Sequence, residues 1–449
     1  MSDQIRLKKG LNLPIAGAAL CEVTARVAPD LVAVKPTDFR GLVPRLLVKE
    51  GDSVKAGTPL FADKKYTSMV FCSPVSGTVD AVIRGDKRKL LEVRVKADGK
   101  NEAVQFDVPK AASLDKKGMT ELLLQCGLWP CLKQRPFGTI ADPEAEPKAI
   151  FISGMNTAPL GADYEFTLKD DVADIQAGIE ALGRLTKGGV HLSLCADSFS
   201  GSAFSKLTGV TFHQFSGPHP AGNVGVQINH ISPINKGEVV WTVALPLVAV
   251  IGRFMRKGVY DTRRIIAVTG PAAVKPAYAE VPAGVSMKQL APFFGSADEL
   301  RIVSGNVLTG EAVGREGFLG FYDDQVSVLK EGNYYEMFGW IKPLRSKKFS
   351  VSYAYPAFLR RKKYRMDTNE NGGERPFLMN DVYGKMLPMD IYPLYLFKAC
   401  LAGDLDKMEQ LGIYEVIEED VALCEYVCPS KIEIQNIIRQ GIELMMKEM

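Results

Sequence analysis

Between residues 31 and 100 short apolar runs alternate with turn residues: LVAVKP, VPRLLVKEG, GTPLFAD, SMVFCSPVSGTVDAVI and LLEVRVKADG. Such runs bounded by Gly, Pro and Asp predict β-strands. Residues 101–145 are mixed, with an amphipathic helix near MTELLLQC, and Pro143 and Pro147 among three acidic residues mark a boundary. The pattern then changes. KAIFISGM reads as a buried strand, DVADIQAGIEALGRLTKGG as a helix with Asp170 and Asp171 at its start and Gly188 and Gly189 past its end, and GVHLSLCAD as another strand. Strand, helix and strand within roughly 45 residues is the spacing of a parallel, doubly wound sheet. Val239 to Gly252 is the longest apolar stretch; it contains Thr242 and Pro246 and ends at Arg253. A bilayer span needs about 20 apolar residues, so the stretch predicts a buried strand pair or strand–turn element. VPAGVSMKQLAPFFG, LRIVSGNVLTGE and QVSVLKEG predict a small α+β module, residues 341–375 are basic and aromatic, and residues 376–449 read as helices.

The expectation is a multidomain α/β chain. Residues 1–103 form a barrel-type domain with an N-terminal arm, and 104–265 a Rossmann-like α/β layer. A small α+β module covers 266–340, and a basic linker with a helical end covers 341–449. Composition changes little in this picture: the 449 residues are 46% hydrophobic and 24% charged, which is ordinary for a globular chain. A net charge of +3 gives no global case for a nucleic-acid binder. The N-terminus lacks the apolar core of a signal peptide. The eight cysteines sit mostly in apolar surroundings, as in a reducing compartment.

Several segments carry candidate chemistry. VKEGDSVKAGTPL (48–60) followed by SPVSGTV (73–79) resembles a half-repeat of the biotinyl/lipoyl domain. The hairpin between them offers Lys64 and Lys65, but is about two residues longer than the usual lipoylated one. A structural barrel is the main reading and an acyl- or biotinyl-carrier protein the alternative. Near the C-terminus, Cys424, Cys428 and Pro429 stand where a ferredoxin motif has its third and fourth ligands and proline, whereas Glu418 and Val421 replace the first two. Two thiolates cannot hold a [4Fe–4S] cluster, so the segment is read as ferredoxin-like without clusters. No metal site is expected. No G-x-G-x-x-G follows a predicted strand and no P-loop is present. No catalytic constellation emerges. Of the four histidines, His219 in SGPHPAGN marks a candidate functional loop.

CGLWPCLKQRPFG (126–138) sets Trp129, Pro136 and Phe137 among Lys133 and Arg135, a combination suited to a flat ring ligand with carbonyl acceptors. Residues 342–365 hold nine cations, no anion and five aromatics. Arg360, Arg361, Lys362 and Lys363 are its densest part, suited to docking on a partner or an anionic lipid surface. RNA binding is the rival reading.

LKKGLNLPIAG, the half-lipoyl pattern, GLWPCLKQRPFG, SGPHPAGNVGVQI, VVWTVALPLVAVIGR, IIAVTGPAAVKP and the terminal C-x3-C-P together resemble one family, end to end and in order: the A subunits of the sodium-translocating NADH:quinone reductase. The resemblance implies a β-grasp-like module of the SLBB type within 266–340. It implies a peripheral subunit on the cytoplasmic face of the bacterial inner membrane, in a six-subunit complex with a multi-span membrane partner. It associates the chain with the quinone-reducing half of the reaction and so with ubiquinone or menaquinone at an interface, for which the residue chemistry above singles out Trp129, Arg135, Pro136 and Phe137. FMN, FAD, iron–sulfur and NADH are expected on other subunits, with no cofactor held covalently or tightly by this chain and no nucleic acid.

Overall fold

A computed structural model describes residues 4–295, 299–337, 348–351 and 362–448. In the N-terminal part, a four-stranded sheet (order Leu31–Val34, Leu90–Ala97, Gly77–Arg84, Ser53–Val54) faces a three-stranded one (Pro44–Leu46, Pro59–Asp63, Val70–Cys72). Alternation explains the pairing: Val32, Leu60, Phe61, Phe71, Val79, Val93 and Val95 fill the space between the sheets. Gly77 lies so close to Lys96 that a Cβ there would sit 2.0 Å from its carbonyl oxygen, so glycine is required. The hairpin carrying Lys64 and Lys65 is pinned by Tyr66, whose hydroxyl donates to Asp142 at 2.8 Å, and by Lys65 beside the same carboxylate at 3.2 Å.

The second sheet has seven strands, ordered Gln4–Arg6, Thr211–Ser216, Val190–Cys195, Ile150–Ser153, Val240–Ala244, Lys133–Arg135 and Thr139–Ile140. The first five are parallel and the last two antiparallel. From Ile150–Ser153 the chain builds outward to one side, then returns to place Val240–Ala244 on the other. These two neighbours therefore mark the point where the winding reverses. The expectation for residues 239–252 needs correction. Val240–Ala244 is a strand, but Leu245–Lys257 is a helix with Pro246 in its first turn, where the missing N–H costs nothing. This helix packs on Val172–Leu182 so closely that a Cβ on Gly252 would meet the Asp174 carbonyl oxygen at 1.6 Å. From Leu245 to Gly252 it is apolar and buried throughout, and its polar residues, Arg253, Arg256 and Lys257, come only at its end, so a short apolar run is all that the sequence offers there.

A third sheet is ordered Glu311–Ala312, Leu300–Ser304, Gln325–Lys330, Arg264–Thr269, Ala277–Val281 and Val23–Arg26. The N-terminal arm thus serves two sheets outside the barrel. The last part is helical: Val382–Met386, Pro393–Ala402, Leu405–Gln410, Glu418–Val427 and Ile434–Glu448 surround Tyr383, Leu396, Phe397, Met408 and Cys424. Among the described residues no helix is long and apolar enough to cross a membrane. Arg360 and Arg361 lie outside the described residues. Lys362 and Lys363 are exposed, and the next residue, Tyr364, is buried with its N–H donating to the Pro14 carbonyl.

Candidate functional site

The carboxyl ends of Ile150–Ser153 and Val240–Ala244 open into a cavity of about 510 Å³. Open α/β sheets bind ligands at such a crevice. Its floor is the sheet with the start of the helix Val224–Ile231, one side is Lys133 and Arg135 on the neighbouring antiparallel strand, the roof is Tyr322, Asp323 and Asp324, and Glu418, Glu419 and Arg439 close it beside Arg135. Four parts of the chain, the barrel included through Asp38 and Arg40, therefore meet around one void.

Ion pairs hold the walls in place. Arg135 is buried and donates to Asp420 through Nη1 and to Glu419 through Nη2, both at 2.7 Å. Arg40 reaches across to Glu418 at 2.6 and 2.9 Å, and Arg439 approaches the same carboxylate at 3.2 Å. Glu418, Glu419 and Asp420 form the first turn of their helix, where the helix dipole favours negative charge. Burial still pushes the Asp420 carboxyl above its ordinary range, with Arg135 opposing. Gly225 makes room for this arrangement: a Cβ would stand 2.4 Å from Arg135 Nη1.

Lys133 differs from Arg135, two residues away on the same strand. Its ammonium lies 3.6 Å from the centre of the Tyr322 ring and makes no ion pair among the described residues. Tyr322 is fixed by its hydroxyl donating to the Pro130 carbonyl at 2.7 Å. Burial pulls the Lys133 ammonium below its usual range. It is a cation with donors to offer and a ring alongside. On the same wall, Asp38 accepts the Phe321 N–H at 2.8 Å and pairs with Lys35 at 3.1 Å, yet burial pushes its carboxyl up to about 6. In the roof Asp324 accepts the Tyr164 hydroxyl at 2.7 Å, and burial raises it too.

Of the residues singled out in sequence, Arg135 lines the cavity and Pro136 is buried behind it. Trp129 is fully buried, its indole N–H donating to the Ala141 carbonyl at 2.8 Å and its ring edge-on to Trp241. It stands behind the wall, outside the lining. Phe137 adopts a positive φ of 83° and turns away to Tyr414. His219 supports the floor from beneath: its Nδ1 is 3.2 Å from Thr157 Oγ1, which accepts the N–H of cavity residue Gly222. Burial drives His219 down to about 4, so it is neutral. Cys424 and Cys428 are far into the helical core. The Tyr383 hydroxyl is 3.1 Å from Cys428 Sγ, and burial pushes the Cys424 thiol up. Among the described residues no three His, Cys, Asp or Glu side chains converge as for a metal ion. Sequence reasoning passes over Asp38 and the roof segment 321–324. Two aromatics followed by two acids in a turn are the available signal.

Family models match three stretches: an NqrA N-terminal barrel-sandwich hybrid domain over residues 5–98, an NqrA second alpha/beta domain over 114–260, and an NQRA C-terminal domain over 265–314. Curated relatives match nearly throughout. The A subunit of the Na(+)-translocating NADH-quinone reductase of Neisseria meningitidis serogroup B is 37% identical over 448 residues, 99% of this chain and 100% of its own. That of Yersinia pestis is 38% identical over 441 residues, 97% of this chain and 98% of its own. A solved NAD+-reducing [NiFe]-hydrogenase overlaps 76% of this chain and 62% of its own at 12% identity, with a TM-score of 0.38, too slight a likeness to assign a fold. With its barrel-sandwich, its α/β sheet and a match that runs from end to end, the chain belongs to the family of A subunits of the Na(+)-translocating NADH-quinone reductase.

Proposed function

We propose that the chain is the peripheral A subunit of a sodium-translocating NADH:quinone reductase, and that its cavity admits the quinone head group. An identity of 37% over 99% of the chain to a subunit so named supports the first statement. One observation carries the second: Lys133 lines the cavity as a cation without an ion pair among the described residues, beside the Tyr322 ring. A quinone is a planar apolar ring with two carbonyl acceptors. A ring wall and one donor suit it. Within the segment first chosen for this role, Arg135 builds the wall and Trp129, Pro136 and Phe137 back it, while Lys133 supplies the contact. His219 keeps the floor in place.

In this reading the small module is a β-grasp of the SLBB type, and the helical end is a ferredoxin-like segment that has lost its clusters. The division at 103, 265 and 340 follows the same reading. The chain sits on the cytoplasmic face of the inner membrane in a six-subunit assembly. FMN, FAD, iron–sulfur and NADH belong to its other subunits, and the purified chain is colourless. Arg360, Arg361, Lys362 and Lys363 dock it on a multi-span partner or adjoining lipid. Replacing these four with Glu should strip the chain from washed membranes at lower salt.

The test of the site uses the assembled complex and a photoreactive quinone. Cavity-lining peptides should be labelled, and Lys133→Met should raise KM for quinone several-fold. Labelling confined to other subunits, with KM unchanged, would refute the site.

A further inference from the structure

The cavity and a second void share one titratable side chain. Asp38 lines both, and the second void, about 20 Å³ between the barrel and the third sheet, has room for one water. Phe321, whose N–H holds Asp38, also borders both voids. The next residue, Tyr322, carries the ring beside Lys133. The carboxyl and the Lys133 ammonium are thus fixed to successive residues of one turn, and both line one space. We propose that Asp38 is the carboxyl that delivers protons to the quinone in this cavity, reloaded by water from the void behind it; the inference rests on the quinone reading above.

The chemistry requires such a donor. Reducing a quinone to its hydroquinone takes two electrons and two protons. The electrons come from the reduced flavin or iron–sulfur carriers of the partner subunits, which are oxidised in turn. At each protonation the Asp38 O–H bond breaks, its electron pair stays on the carboxylate, and an O–H bond forms on a quinone oxygen. A proton taken up from bulk solvent, relayed through a water in the second void that passes one proton on as it receives another, then reloads Asp38 before the second transfer. A donor for this step must be able to hold a proton near neutral pH. Burial gives Asp38 that property, at about 6. The charged groups facing it are few. Lys35 comes from its own turn, with the exposed Glu311 beyond it at 3.4 Å, and Asp323 comes from the roof. Lys35 pulls the Asp38 carboxyl down, and Asp323 pushes it up. Removing Lys35 should therefore make Asp38 a weaker acid, and removing the Asp38 carboxyl should abolish the step.

Both effects can be read in the whole complex. In Asp38→Asn, kcat for quinone should fall at least tenfold while KM stays constant and reduction of ferricyanide, which takes electrons without protons, is unchanged. Asp38→Glu should recover part of the loss. The fall in wild-type kcat as pH rises past about 6 should vanish in Asp38→Asn and move to higher pH in Lys35→Met. If Asp38→Asn keeps the wild-type rate and profile while photoreactive quinone still labels the cavity, the proton-delivery role is overturned and the cavity reading stands. If quinone labels no cavity peptide, both fall. An unmoved inflection in Lys35→Met would also overturn the role of Asp38.

Discussion

The crevice at the end of the parallel sheet and the core around Cys424 and Cys428 handle polar groups in opposite ways. In the helical core, side chains occupy the space completely: Tyr383, Leu396, Phe397, Met408 and Cys424 have no accessible surface, and Cys428 has 1%. The thiols behave there as small hydrophobes. At the crevice, paired cations and carboxylates line about 510 Å³ that no side chain fills. Close packing is the rule inside proteins, so a void this large survives because its walls are fixed. Arg135, Arg40 and Arg439 clamp three acids of one helix start, and Gly225 leaves the clamp room. One region is stable through filling, the other through pairing around an opening.

The largest expected effect removes the clamp. Arg135→Leu leaves Asp420 buried with its charge unmatched, and urea unfolding should show a loss of about 3–5 kcal/mol. The double variant with Asp420→Leu should lose far less than the two single losses summed; simple additivity would show that the pair is not a unit. Next comes pH. His219 is buried neutral with its pKa down at about 4, below the unfolded value near 6.5. The unfolded chain therefore binds the extra proton first. Stability from this group is complete above about pH 6.5 and drains as pH falls towards about 4. At pH 5 the deficit is about 2 kcal/mol. His219→Gln should flatten that slope, and an unchanged slope would remove His219 from the floor's support.

Two smaller changes set the regions against each other directly. Lys133→Met replaces a desolvated cation with an apolar chain of similar length, so the variant should be more stable by about 1 kcal/mol while binding quinone worse. In the filled core the direction reverses: Tyr383→Phe removes the hydroxyl at Cys428 and should cost about 1 kcal/mol with no change in quinone reduction. Smallest of all, a thiol reagent on the folded chain should modify exposed Cys21 quickly and leave the buried Cys424 and Cys428 untouched until unfolding.

Much of this architecture is readable from residue order. The turn-punctuated runs of residues 31–100 form strands because each alternates sides, and KAIFISGM and GVHLSLCAD become adjacent parallel strands. Residues 245–254 escape the same reading because the run is apolar up to Arg253 and its polar positions come only in the last turns of the helix. The cavity is half legible. The segment 126–138 stands out for its aromatics and cations, and Lys133 and Arg135 do line the void. Their division of labour cannot be read, because Arg135's partners lie 284 and 285 residues further along the chain. Asp38 is hidden for a similar reason: only tertiary burial separates it from an ordinary surface aspartate.

The N-terminal arm has a consequence for biosynthesis. Gln4–Arg6 pairs with residues 214–216 and Val23–Arg26 with residues 278–280, so these two strands wait for partners more than 200 positions later. At roughly 5–20 residues per second on the ribosome, that interval is on the order of 10–40 s. The barrel can close in the meantime, while two strand edges stay unmatched in the emerging chain. Such edges recruit other strands. A chaperone that shields the first thirty or so residues until the third sheet emerges would raise the yield of assembled protein without touching the finished fold.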